Sequence, residues 1–215
     1  DVIAAPPGTY QLTAVATDNL GGVTTSDPVT IIVEENRPPA CEPLALETLE
    51  DTSVSFQLVA SDPDGDPLTY GFGATSPSHG GAVINVNTGE GSYAPDPNYY
   101  GADAFSFTVT DPSGIVAECE VTITILPVND APVCSDVTAT TDEDVAVTIT
   151  LTASDVDGDP LSFAIVTGPA NGTVSLSGDA ATYLGNANFN GSDSFTFKAI
   201  DTAGAESSAC SVFIT

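Results

Sequence analysis

Asp62-Pro63-Asp64-Gly65-Asp66-Pro67 returns almost letter for letter as Asp155-Val156-Asp157-Gly158-Asp159-Pro160. The offset of 93 residues from Asp62 to Asp155 also carries Cys41 onto Cys134 and Glu50-Asp51 onto Glu143-Asp144, so the chain is a tandem repeat. Three carboxylates at alternate positions, with Gly where the backbone turns sharply, can wrap several oxygens around one hard cation such as calcium. Asp, Pro and Gly are equally the residues that join two strands without any metal. Taken alone, the loop fits both readings.

The flanks of the loop decide the fold class. Before it, Val54, Phe56, Leu58 and Ala60 sit two apart, which puts them on one face of a strand with Ser53, Ser55, Gln57 and Val59 on the other. The second repeat copies this with Val145, Val147, Ile149, Leu151 and Ala153. After the loop, Leu68-Tyr70-Phe72 and Leu161-Phe163-Ile165 predict the next strand, and shorter ones follow around Val83 to Val86, Tyr93, Val174 to Leu176 and Tyr183. Phe105-Phe107-Val109 and Phe195-Phe197-Ala199 come next, then Val121 to Leu126. About seven short strands per repeat, with Gly, Pro and Asn turns and no helical period, predict an all-β chain of tandem Greek-key β-sandwich domains.

Further out, Glu34-Glu35-Asn36-Arg37-Pro38-Pro39 and Val128-Asn129-Asp130-Ala131-Pro132 read as short, Pro-stiffened linkers. They divide the chain into residues 1–36, 37–129 and 130–215. The first piece has a strand over Gly8 to Thr17, the turn Asp18-Asn19-Leu20-Gly21-Gly22 and a second strand from Val29 to Val33. That order matches the end of a repeat, so residues 1–36 are expected to be the last two strands of a preceding sandwich plus its linker. A lone hairpin buries too little to be stable by itself. Asp1-Val2-Ile3 does not begin a positively charged signal sequence, and no apolar run is long enough to span a bilayer. A longer parent chain is expected.

Lys and Arg number 2 against 30 Asp and Glu, a formal charge of −28. Such a balance disfavours nucleic acid and anionic membrane surfaces, and makes cations the natural partners.

Four cysteines allow three pairings, and the repeat selects among them. Cys41 and Cys134 each begin the first strand of a repeat, and Cys119 and Cys210 fall early in the last. In a sandwich those strands can run side by side and parallel, so Cys41–Cys119 and Cys134–Cys210 would staple first strand to last. Thiolate metal binding is the rival reading, but the chain has no Cys-x-x-Cys and a single His, His79. Disulfides place the chain in an oxidising compartment outside the cytosol.

If strands alternate up and down and repeats stack head to tail, loops from one repeat are expected to meet the linker and loops of the next. Glu50, Asp51, Asp103, Asn129 and Asp130 would then converge on Asp155, Asp157, Asp159 and Asp201. Asn36, Asp62, Asp64, Asp66 and Asp111 hold the equivalent places at the preceding junction, and Glu143, Asp144 and Asp193 at the following one. So many carboxylates repel or protonate unless cations join them, which favours calcium.

The chain resembles bacterial cadherin-like and Ig-like repeats strung in tandem in large surface proteins. The resemblance rests on Glu50-Asp51, on the block Ala60-Ser61-Asp62-Pro63-Asp64-Gly65-Asp66-Pro67-Leu68-Thr69-Tyr70, and on Tyr99-Tyr100-Gly101-Ala102-Asp103-Ala104-Phe105-Ser106-Phe107. Asp111-Pro112-Ser113-Gly114, Val128-Asn129-Asp130-Ala131-Pro132 and Asn188-Phe189-Asn190-Gly191-Ser192-Asp193-Ser194-Phe195 complete it, covering roughly residues 37 to 215. It implies calcium-stiffened extracellular rods, secreted or anchored to a bacterial or archaeal surface. Such rods space a binding head from a cell or build an adhesive filament. Their partners would be neighbouring repeats of the same or an identical chain and a cell-surface or glycan receptor. Two departures stand out. Arg37 replaces the acidic residue of the second linker, so an arginine takes a cation's place there, and the disulfides are not a general feature of such repeats.

Catalysis is disfavoured: there is no Ser-His-Asp spacing, no phosphate-cradling Gly loop and no carboxylate pair that does not recur as a turn. A carbohydrate-binding accessory module is the alternative, but Tyr99-Tyr100 is the sole adjacent aromatic pair in the sequence and its counterpart Asn188-Phe189 keeps one ring. Asn171-Gly172-Thr173 and Asn190-Gly191-Ser192 match a glycosylation pattern and are equally hairpin turns.

Overall fold

The computed structural model describes residues 5–215, so Asp1-Val2-Ile3 lies outside the described residues. The chain divides into two compact units, Asp1–Leu126 and Pro127–Thr215, and the described residues are strands and connections without a helix.

The first unit opens with a hairpin. β1 (Gly8–Leu12) pairs with β4 (Val29–Val33), and β2 (Val15–Thr17) with β3 (Val23–Thr25). The strand expected over Gly8 to Thr17 is interrupted, because Ala14 exchanges its backbone bonds with Ser26: Ser26 N–H donates to the Ala14 carbonyl and Ala14 N–H to Ser26 Oγ. Beyond the interruption the pairing register slips by one residue, from Val15↔Thr25 to Leu12↔Val29.

The sandwich follows, with β5 (Ala40–Cys41), β6 (Leu44–Leu49), β7 (Val54–Gln57), β8 (Ala60–Ser61), β9 (Thr69–Phe72), β10 (Gly80–Ile84), β11 (Glu90–Pro95), β12 (Gly101–Thr110) and β13 (Val116–Leu126). One sheet has the order β6-β13-β12-β9, the other β10-β11-β7. The first strand is split: β5 pairs with β8, next to β7 in the chain, while β6 lies parallel to β13.

The second unit repeats the plan. Its strands are β14 (Val133–Ser135), β15 (Val137–Ala139), β16 (Val147–Thr150), β17 (Thr152–Ser154), β18 (Ser162–Thr167), β19 (Gly172–Ser177), β20 (Ala180–Gly185), β21 (Asp193–Ile200) and β22 (Cys210–Ile214). The orders are β15-β22-β21-β18 and β16-β20-β19, with β14 on β17 and β15 parallel to β22.

Period-two alternation produces the cores. Phe56, Leu58, Phe105, Phe107, Val109, Val121, Ile123 and Ile125 fill the first, with Ser53, Ser55, Gln57 and Val59 exposed. Ile149, Leu151, Phe195, Phe197, Val212 and Ile214 fill the second. Val145, grouped with the inward set by alternation, lies before β16 and is 52% exposed. Both disulfides join the residues the repeat selects: Cys41–Cys119 and Cys134–Cys210, with Cα atoms 6.0 and 6.1 Å apart. Cys41 lies on β5, which pairs with β8 alone, and Cys119 on β13, so the bridge ties that short pair of strands to the four-stranded sheet.

Candidate functional site

The loop between β8 and β9 is organised by Asp62. Its Oδ1 accepts the backbone N–H of Asp64 at 2.8 Å and of Asp66 at 3.3 Å, while Oδ2 is buried without a hydrogen-bond partner. Gly65 takes φ of 81°, a conformation that costs a side chain strain, and so closes the turn. Asp155 repeats this, with Oδ1 accepting from Asp157 and Asp159 N–H and Oδ2 again buried and unpartnered. A buried carboxylate oxygen with no donor is an expensive arrangement that a water or a cation would relieve.

Two linker residues anchor each linker, one to the Asp loop and the other to the turn after β12 or β21. In the second unit, Asn129 Nδ2 donates to Asp201 Oδ2 at 2.7 Å and Asp130 N–H to Asp157 Oδ2 at 2.8 Å. In the first, Asn36 Nδ2 donates to Asp111 Oδ2 at 2.7 Å and Arg37 N–H to Asp64 Oδ2 at 2.6 Å. Asp111 and Asp201 are buried, and the other oxygen of each accepts a turn N–H, from Ile115 and Ala205. The Asn36 amide first, then the turn N–H groups, hold the Asp111 carboxyl below its ordinary value against the upward push of burial, and Asn129 does the same for Asp201. Both therefore stay ionised. Asp159 Oδ2 accepts from the Thr202 hydroxyl.

The remaining expected residues have other surroundings. Asp51 and Asp144 adopt left-handed φ of 57° and 62°, and each accepts a backbone N–H from a left-handed Asn, Asn98 or Asn188. Glu50 is buried and Glu143 exposed. Asp103 and Asp193 are buried and tied to protein donors. Asp103 Oδ1 accepts from Ser78 N–H, Ser78 Oγ and Ala104 N–H, and Oδ2 from His79 N–H and the Tyr93 hydroxyl, so its lone pairs are committed to protein donors. Asp193 is held likewise by Ala170, Asn171 and Ser194 N–H and the Tyr183 hydroxyl. These two carboxylates pin a loop to the core. Sequence reasoning missed the role of these clamps, yet a signal was there: Tyr and Asp stand ten residues apart in both repeats.

Among the described residues no group of three or more His, Cys, Asp or Glu side chains is gathered around a common point. The loop instead offers the carboxylates of Asp155, Asp157 and Asp159, hard oxygen ligands of the kind calcium takes. The buried, unpartnered Asp155 oxygen fits such an ion.

The profile of the bacterial Ig domain family matches residues 36–124 and 129–214. The chain belongs to that family. Its two bacterial Ig domains are similar in fold to human protocadherin-24 EC1-2, whose crystal form II superposes with a TM-score of 0.59 at 20% identity, covering 84% of this chain and 99% of that one. In sequence the chain is similar to integrin beta-like protein C of Dictyostelium discoideum, 28% identical over 248 aligned positions, which is 98% of this chain and 12% of that protein. A sphingomyelinase of Mycobacterium bovis is 33% identical over 86 positions, 38% of this chain and 18% of that protein. This pair of bacterial Ig domains thus spans only a small part of the length of the curated relatives it matches.

Proposed function

We propose that the chain is a calcium-stiffened extracellular module, a structural or adhesive pair of repeats from the stalk of a surface adhesin or a surface filament. The bacterial Ig family and the two disulfides support an extracellular structural role. One observation carries the calcium reading: Asp155 Oδ2, in the loop whose Asp157 accepts the N–H of the linker residue Asp130, is buried and has no hydrogen-bond partner.

Asn129, Asp130, Asp155, Asp157, Asp159 and Asp201 would hold the ion, and Asn36, Asp62, Asp64, Asp66 and Asp111 stand at the equivalent places in the first unit, where Arg37 pairs with Asp64. Glu50, Asp51, Glu143 and Asp144 complete the proposed oxygen donors. An ion bound to both the linker and the loop of one repeat fixes that linker against its own domain, which is the physical meaning of stiffening here. It also offsets part of a charge of −28. The test is thermal unfolding of the oxidised protein in excess EDTA and in millimolar calcium, with small-angle scattering of both samples. A rise in Tm with calcium and a longer, stiffer particle is expected; identical Tm and scattering would leave the Asp loops as plain turns.

A further inference from the structure

The two linkers place opposite charges on equivalent backbones. Arg37 stands 93 residues before Asp130, and both donate their backbone N–H to the second carboxylate of the following loop. The preceding Asn residues make the same bond, at 2.7 Å, to Asp111 and to Asp201. The side chains then diverge. Arg37 folds onto the loop, with Nε 2.8 Å and Nη2 2.7 Å from Asp64 Oδ1 and a further bond to the Pro63 carbonyl.

Asp64 therefore has one oxygen on the Arg37 backbone and the other on its guanidinium. The backbone bond first, then the side-chain bond, hold its carboxyl below the usual range. A guanidinium is permanently charged, presents several donors and has no acceptor, so it can occupy a cation's place but cannot share it with one. Replacing an acidic side chain by a basic one changes the local charge by about two elementary units and removes a carboxylate ligand.

We propose that Arg37 is a built-in counter-ion that takes the place of a divalent cation at the first repeat, leaving the calcium requirement to the second. The inference rests on the calcium reading of the second loop, and the two fail in distinguishable ways. The experiment titrates calcium into the isotopically labelled full chain, as wild type, Arg37→Asp and Arg37→Gln. Backbone amide shifts are followed by NMR and stoichiometry by calorimetry.

In the wild type, amides at Asn129-Asp130, at Asp155 to Asp159 and at Asp201 should shift saturably while those of Asp62 to Asp66 stay still. Arg37→Asp should bind at least one more calcium and bring Asp62 to Asp66 into the response. Arg37→Gln, which keeps a polar chain but removes the charge, should show the same gain at higher calcium. If Asp62 to Asp66 respond in the wild type at the same calcium concentration as the second loop, the counter-ion role is overturned and the calcium reading stands. A second loop that stays silent overturns the calcium reading; the counter-ion role then survives only if Arg37→Asp or Arg37→Gln gains binding, and falls with it if neither does.

Discussion

At the scale of single residues, a carboxylate can serve this fold in two incompatible ways. Asp155 keeps an oxygen buried and unpartnered, whereas Asp103 is 6% exposed and both its oxygens are filled by protein donors. Burial pushes Asp103 up, but the Ser78, His79 and Ala104 N–H groups and the Tyr93 hydroxyl outweigh it and hold it below its ordinary value. Burial first, then the bond to Asp103 and its charge, push the Tyr93 hydroxyl well above its ordinary value. The signs follow. A depressed Asp contributes stability that is complete above its unfolded value near 3.9 and is lost as pH falls through the folded one. A raised Tyr contributes below about 10 and loses that contribution as pH rises through its folded value. In chelator, Asp103→Asn should cost about 2 kcal/mol near neutrality, because one amide oxygen cannot accept what the carboxylate does. The stability difference between wild type and variant, measured by denaturant unfolding, should be constant from about pH 5 to 9 and shrink below about pH 4. A difference that stays constant into acid would remove Asp103 as the titrating group.

At the scale of strands, the two repeats solve one packing problem with different side chains. Phe56 on β7 faces Gly91 on β11, and at the equivalent place Ile149 on β16 faces Ala181 on β20. A Cβ on Gly91 would lie 2.4 Å from the Phe56 ring and 2.4 Å from the Val83 carbonyl oxygen. Gly91→Ala should therefore cost about 1–3 kcal/mol as overpacking. Adding Phe56→Ile should recover part of that cost, and a double-mutant cycle measures the coupling. Additive losses would mean that the backbone oxygen, and not the ring, sets the limit. This scale is also where the sequence is most legible. Alternation marks Phe105, Phe107 and Val109 as core because a strand has only two faces, and the repeat pairs the cysteines because equivalent positions fold alike. What it does not carry is local competition for backbone bonds, as where Ser26 interrupts the strand at Ala14. Nor does it separate a loop Asp with an open oxygen from a clamp Asp, since Asp155 and Asp103 differ only in which donors the fold brings to them.

For the molecule as a whole, each bridge closes a long stretch, 78 residues apart for Cys41–Cys119 and 76 for Cys134–Cys210. Loop-closure entropy for such a stretch gives about 4 kcal/mol per bridge, so replacing either pair with Ser should lower the unfolding free energy of its repeat by about 2–4 kcal/mol in chemical denaturation. Force shows the other side of the same bond. A pull on the two ends of the first sandwich enters near Cys41 and leaves through β13 past Cys119, so the chain between the two sulfurs lies outside the line of tension. At roughly 3.4 Å per extended residue, on the order of 260 Å of slack stays locked inside each repeat until the bridge is reduced. Stretched from its ends, each oxidised sandwich could lengthen only by the few residues outside its bridge, and release of the rest would be set by thiol chemistry and not by how firmly its core is packed.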